Sequence, residues 1–482
     1  MNHLLLYCSR LASLVLLQLL AACAWFGDSS QRATMIAMPP VGKTLSPFTA
    51  PQQAANNWPS QTWWKTFAIP TLNRLIETAV ADSPKLKVVE NRLKQSQAMV
   101  DARTADLYPT IDANFSFSAQ RYSANSVQAK LAGEHFRHMV INPFVLRYHL
   151  DLWGADRAAL QAAIGEAMAG ETEVADARLL LSVAVASNYF SLVSATERSA
   201  LSEKIVSHRE QLLKLAQARL NNGLTSDAPL LAAQIELNNA RQQAAALRAE
   251  IDLQKNLLAV LAGKGPDWGR DITVERGILP HRLALPKDLP LRLLAHRPDV
   301  VAARLRAEAA AEEIKIAKAD FYPNVNLFSF AGLHSVSISD VLLQGSSLAY
   351  AVGPSIEFPI FEGGRLRANL SFQEAAYDQA VEQYNHQVLL AVQEVADALA
   401  KWQKIDTQLN EQRLSTASAG EFRRLEHTLN RYGLRDNSGQ IAADATEYAE
   451  LMRLAALEGE YFRTSAEVVK ALGGGYFRTV NP

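Results

Sequence analysis

The sequence predicts a mainly α protein that also carries strands of a membrane β-barrel and is built from two copies of one plan. Three observations predict it. Short segments alternate between apolar and polar residues. Long segments rich in Ala, Leu, Gln and Glu keep a seven-residue apolar repeat. A set of landmarks recurs in the same order about 210 residues further on.

Residues 1–22 read as a secretory signal, with Arg10 before an apolar stretch from Leu11 to Leu20 and small residues at the cleavage position. The stretch falls short of the ~20 apolar residues of a membrane span. Leu20-Ala21-Ala22-Cys23 resembles the lipobox of bacterial lipoproteins, in which the cysteine becomes the first mature residue and carries lipid. The resemblance implies lipid, palmitate included, on Cys23. Ala24 stands where an inner-membrane retention Asp would otherwise be, which implies the outer membrane. An ordinary secretory signal with a chance cysteine is the plainer alternative. On the first reading, residues 23–70 are a lipid-anchored N-terminal segment. The only other cysteine is Cys8, inside the signal, so the mature chain has no disulfide framework. A net charge of −1 gives no electrostatic footprint for nucleic acid. No later segment reads as a membrane helix, so any crossing must be made by strands of a closed barrel.

The first copy spans 71–265. A helix over about 72–106 runs into Leu107-Tyr108-Pro109 and stops. Ile111, Ala113, Phe115 and Phe117 then alternate with Asp112, Asn114, Ser116 and Ser118, which predicts a strand over 110–118. Leu146, Tyr148, Leu150 and Leu152 alternate with Arg147, His149 and Asp151, which predicts a second strand over 141–153. The polar stretch 119–140 reads as a loop carrying His135 and His138. Residues 155–221 form a helix of roughly 100 Å at 1.5 Å per residue. After a Gly turn, the return arm 228–262 spans about half that. Leu230, Leu237, Ala244, Ile251 and Leu258 recur every seven residues, with Ala233, Ala240, Leu247 and Leu261 between them, as in a coiled-coil seam. The helix before the first strand is close to the missing half, so one long helix can lie beside two shorter ones stacked end to end. Such helices suit a tube.

After a linker over 266–290, the second copy spans 291–476. Phe321-Tyr322-Pro323 repeats the Tyr-Pro stop, Tyr432-Gly433-Leu434 repeats Asn222-Gly223-Leu224, and Leu472-Gly473-Gly474 repeats Leu261-Ala262-Gly263, at offsets of 214, 210 and 211 residues. Its strands are expected over 324–334 and 346–358, with weaker alternation. Gly353-Pro354 ends or bends the last of them. Four strands cannot close a membrane barrel, so the chain must oligomerise. Arithmetic alone allows a dimer.

Several marks stand in fixed order: Trp58-Pro59 with Trp63-Trp64, Leu150-Asp151-Leu152-Trp153-Gly154, Arg297-Pro298-Asp299-Val300 followed by Ala307-Glu308, Phe361-Glu362-Gly363-Gly364-Arg365, and Ala471-Leu472-Gly473-Gly474-Gly475-Tyr476. With them the chain resembles the TolC-like outer membrane efflux factors, in particular the lipoprotein branch called NodT, over nearly all of its mature length. The resemblance implies a homotrimer. Each chain gives four strands to a shared twelve-stranded barrel and four helical runs to a periplasmic coiled-coil tunnel. It also implies a periplasmic adaptor protein and an inner-membrane transporter as partners.

No catalytic or metal constellation stands out. His135 and His138 lack further ligands at metal spacing. Gly263-Lys264-Gly265-Pro266 lacks the Lys-Ser/Thr ending of a phosphate loop. Arg297-Pro298-Asp299 reads as a helix start. No cofactor is expected beyond the lipid on Cys23. The functional candidates are the two Gly turns. Gly223 and Gly433 suit tight turns with positive φ. A turn alone does not explain Leu224, Thr225, Leu434 and Arg435 at an exposed tip, and in the family that the chain resembles these tips meet the adaptor. The resemblance thus implies Arg219, Gly223, Leu224, Thr225, Ser226, Arg431, Gly433, Leu434 and Arg435 as adaptor contacts, with a mere turn as the alternative. The resemblance also implies carboxylates that close the tunnel near these tips, for which Asp436 and Asp444, with Asp227 behind them, are the candidates for an acidic ring at the periplasmic aperture. Helix-start carboxylates complementing the helix dipole are the competing reading. The function expected is the passive exit duct of a three-part efflux pump for drugs or other toxic small molecules. The alternatives are a protein-secretion duct and a structural envelope lipoprotein.

Overall fold

The computed structural model describes residues 32–40, 54–55, 59–125, 130, 133, 135–274, 285–286, 296–336 and 345–477. Cys23 lies outside the described residues. The chain divides into two compact units. One takes in Met1–Met35, Lys94–Ala169 and Ala303–Tyr384, the other Ile36–Leu93, Gly170–Ala302 and Asn385–Pro482.

The elements run α1 (Pro70–Asp82), α2 (Pro84–Ala105), β1 (Thr110–Arg121), β2 (His135–His149), α3 (Ala155–Asn221), α4 (Asp227–Leu261), α5 (Pro266–Arg270), α6 (Pro298–Ala319), β3 (Asn324–Ser335), β4 (Leu348–Glu357), α7 (Arg365–Arg431) and α8 (Asn437–Ala471). The duplication is kept to the residue in the helices. Helices α3 and α7 are each 67 residues long, and α4 and α8 each 35.

The helix expected over 72–106 is two helices. Ser83 leaves the helical region (φ −59°, ψ 119°), because the ring of Pro84 crowds the residue before it. The long helix over 155–221 is continuous, as expected. Part of it is apolar and long enough to cross a membrane, contrary to the sequence reading, but 61% of that stretch is buried in the protein. It is apolar because it supplies core. The seam of α4 is also present, with Leu237, Ala240, Ala244, Leu247 and Leu258 buried.

Four strands form one antiparallel sheet in the order β1-β2-β3-β4, so among the described residues both outer strands present an unpaired edge. Strand β2 begins at His135, so His135 and His138 lie in the sheet and not in a loop. Cross-strand pairs assign the faces. Asn114 pairs with Asn142, Ser118 with His138, Arg147 with Phe328, and Asn324 with Glu357. These residues share the face of Asp112 and Ser116. On the other face Phe115 pairs with Ile141, Ile111 with Leu146, Leu333 with Leu348 and Val325 with Ile356. One face is therefore mainly apolar, with Arg121, His135 and Arg137 at its end, and the other mainly polar, with Val140 and Val145 of β2 also on it. Lipid outside and water inside suit such a division. The register shifts at Asn142-Pro143, opposite Gly332. A Cβ on Gly332 would stand 2.1 Å from Asn142 Oδ1 and 2.4 Å from the Ile141 carbonyl oxygen, so only glycine fits.

In the second unit the core gathers around aromatic side chains. Phe67 meets Phe190 edge-on at 5.2 Å, and Phe190 stacks on Phe462 at 5.1 Å. Trp63 is buried and donates its indole N–H to Ser182 Oγ at 3.2 Å. Rings in such offset and edge arrangements add to the stability that burial supplies. Leu72, Ile76, Leu192, Leu399 and Leu472 are fully buried in the same core.

Candidate functional site

The two hairpin tips are built alike. Each long helix ends in a pair of backbone hydrogen bonds around a left-handed glycine. Gly223 N–H donates to Leu220 O at 2.9 Å and Leu224 N–H to Arg219 O at 2.9 Å; Gly433 N–H donates to Asn430 O at 2.9 Å and Leu434 N–H to Leu429 O at 2.9 Å. The glycines have φ +68° and +70°. This is the Schellman stop, whose last residue ordinarily packs its apolar side chain back on the helix. Here Leu224 and Leu434 are 75% and 72% exposed, and the neighbouring Tyr432 is 74% exposed. Arg219, Ser226, Arg431 and Arg435 are exposed as well, while Thr225 is half-buried. Behind Leu224 lies a cleft of about 510 Å³ between the arms of α3 and α4, floored by Leu212, Leu215, Ala216, Ala232 and Ala233.

The three acidic candidates differ. Asp227 is exposed at the first turn of α4. Asp436 caps α8, accepting from Gly439 N–H at 3.4 Å, and Arg219 of the other tip meets it at 2.7 Å. Hydrogen bonds from Ser438 and then Arg219 hold its carboxyl below the ordinary value. Asp444 is only 7% exposed. Arg423 (3.1 Å) and His427 (2.9 Å) face it across the hairpin. The structure brings Arg219 and Asp436 together and turns Asp444 inward, so its charge is spent within the hairpin.

A buried ion cluster was not legible as such in the sequence. Pro298 opens α6 as expected, but Arg297 beside it is 4% exposed and grips Asp299 with two nitrogens, at 3.0 and 2.6 Å. It also reaches Glu394 at 2.8 Å and the Ala471 carbonyl oxygen at 3.1 Å. Gln387 donates to Asp299 at 2.6 Å. Burial works most strongly against the charge on Asp299. The hydrogen bond and charge of Arg297, helped by Gln387 and the Val300 N–H, nevertheless hold its carboxyl below the usual range. Asp176 shares the cavity, and burial first and the Asp299 charge second push it up to about 6. Such a network fixes the helix ends that meet there. Among the described residues no cluster of His, Cys, Asp or Glu is arranged to hold a metal ion.

A sheet with one lipid-type face, unpaired edges and long paired helices defines a channel protein of the β-barrel class with a helical extension. The comparisons agree. The family described as outer membrane efflux protein matches residues 75–264 and 289–474. The multidrug resistance outer membrane protein MdtP of Escherichia coli is 29% identical over 433 residues, covering 88% of each chain. The fusaric acid resistance protein FusA of Burkholderia cepacia is 33% identical over 369 residues, covering 76% of this chain and 69% of that one. The crystal structure of the outer membrane protein VceC of Vibrio cholerae superposes with a TM-score of 0.76 at 30% identity, covering 87% of this chain and all of the other. The chain belongs to the outer membrane efflux protein family. It is an outer-membrane efflux duct and works by passage, not by catalysis.

Proposed function

We propose that three copies of this chain form the exit duct of a three-part pump, joined at the hairpin tips to a periplasmic adaptor and through it to an inner-membrane transporter. The observation that carries the reading is the pair of matching tips, each ending in a leucine left in solvent where its turn would ordinarily cover it. The cleft behind Leu224 gives an adaptor hairpin an apolar seat. The names of the relatives, multidrug and fusaric acid resistance, support small toxic organic molecules as cargo. The sequence ending in Cys23 supports a lipid anchor in the outer membrane. Asp227 and Asp436 are the acidic groups of the tips with free surface, and they are proposed to line the aperture.

A strain lacking the gene tests this reading, with a susceptibility panel of dyes, antibiotics, detergents and aromatic acids. Loss of resistance to one chemical class is expected, and wild type should restore it. A chain with Leu224→Asp and Leu434→Asp should reach the outer membrane, carry labelled palmitate on Cys23 and still fail to restore resistance. Full restoration by that variant would remove the tips from the adaptor contact. An unlabelled chain would remove the lipid.

A further inference from the structure

We propose that Phe328, Phe330, His334 and His138 form a track of rings on the inner face of the barrel sheet that binds planar aromatic solutes in transit. The inference rests on the reading of the sheet as part of an outer-membrane barrel, and it names a solute class for that duct.

Strand β3 breaks the pattern of the sheet. Its polar-face positions are Asn324, Asn326, Phe328, Phe330, Gly332 and His334, so two phenylalanines stand where water is expected. That is why the alternation of this strand is weak in the sequence. A barrel of about eight strands fills its interior with side chains, which would make such rings ordinary packing. A larger barrel leaves a water-filled interior, and a large apolar ring facing it is then costly unless it is used.

The rings are in contact along the strand. Phe328 and Phe330 have centroids 5.8 Å apart. Phe330 lies flat on His334, with centroids at 5.4 Å and planes 5° apart. They can meet because Gly332 between them has no side chain. Asn142 Oδ1 holds His334 Nε2 at 3.0 Å and so fixes that ring. His138 on β2 continues the line, 6.4 Å from His334. All three spacings fall in the range in which aromatic rings attract one another.

The track also has an open side. On the neighbouring strand β4, the residues opposite Phe328, Phe330 and Gly332 are Gly353, Ala351 and Ala349. A Cβ added to Gly353 would meet nothing within 4 Å. Small residues beside large rings make a shallow trough, and Phe328 remains 37% exposed. A flat ring can lie in the trough against one phenylalanine and pass to the next. Weak binding at several adjacent points is what a conducting path requires.

Single-channel recording on the purified full-length protein in planar bilayers tests the track. The probe is 1-naphthylacetate, compared with its ring-saturated analogue of equal charge. In the wild type the naphthyl compound should dwell in the channel roughly three- to tenfold longer, the range of one aromatic contact. With Phe328→Leu and Phe330→Leu, which keep apolar bulk, the two dwell times should converge. Equal dwell times in a conducting wild-type channel would overturn the track and leave the duct intact. A preference that survives both leucines would overturn it too. A wild-type protein that forms no conducting channel would overturn the duct itself. If the double variant does not insert, Phe328→Leu alone is read by the same criterion.

Discussion

Asp176 carries its carboxyl in the cavity of Arg297 and Asp299, where burial and the Asp299 charge raise it to about 6. In an unfolded chain the same group titrates near ~3.9. Between those values the folded chain binds more protons than the unfolded one, so this group makes stability fall as pH rises, with no further change above about 6. Asp176→Asn removes the charge and should unfold at a higher temperature than wild type at about pH 7.5. The gain should be on the order of 2 kcal/mol and vanish near pH 4, as read by far-UV circular dichroism in detergent. Identical melting at both pH values would show an ordinary carboxyl. The sequence read this region only as the start of a helix, and Pro298 does start one. The partners were out of reach because Gln387 lies 88 residues from Asp299, and Glu394 lies 97 from Arg297. Local spacing cannot report a pairing made by tertiary packing. The same holds for Asp444. Its type and place suggested an acidic ring, and only the fold reveals Arg423 and His427 against it.

Among the elements, strands were legible where their two faces differ and poorly legible where they do not. Strand β1 was found from its alternation, and it runs three residues beyond the expected end at Ser118. Strand β2 starts six residues before its expected start, because His135, Arg137 and His138 look like loop. His138 lies on the polar face, while Arg137, opposite Ala119, and His135, opposite Arg121, lie at the end of the other face. It also ends before the expected Trp153, whose indole N–H turns to the Pro323 carbonyl oxygen at 2.8 Å. Two glycines separate turn from packing. Gly433→Ala adds a Cβ that meets nothing and should cost only the left-handed backbone, about 1–2 kcal/mol. Gly332→Ala forces a carbon onto Asn142 and the Ile141 backbone and should open the β2–β3 register. Heat-modifiable gel migration reads the difference. The first variant should migrate as wild type, and the second should lose the folded band. Equal migration of both would mean that the register shift can absorb a methyl group.

For the molecule as a whole, the duplication was the most legible feature, because turns and stops are written in short local motifs. Equal helix lengths in both copies follow from Schellman glycines placed at matching points. The aperture belongs to this scale, since symmetry would multiply each charge. Asp227→Asn with Asp436→Asn should lower the preference for cations over anions in a planar bilayer by roughly twofold or more. Asp444→Asn should leave selectivity unchanged and weaken the α7–α8 hairpin instead. Unchanged selectivity in the first variant would place the aperture elsewhere.

The unpaired outer strands of the sheet have a genetic consequence. Their edges can be satisfied in lipid only by other copies, so a chain with a damaged edge is still drawn into mixed assemblies and spoils them. If three copies close the ring, equal expression of damaged and intact genes leaves roughly one duct in eight wholly intact. A recessive lesion is then what a missing chain would cause. A misshapen chain would be dominant, and one faulty plasmid-borne allele could sensitise a cell whose own gene is sound.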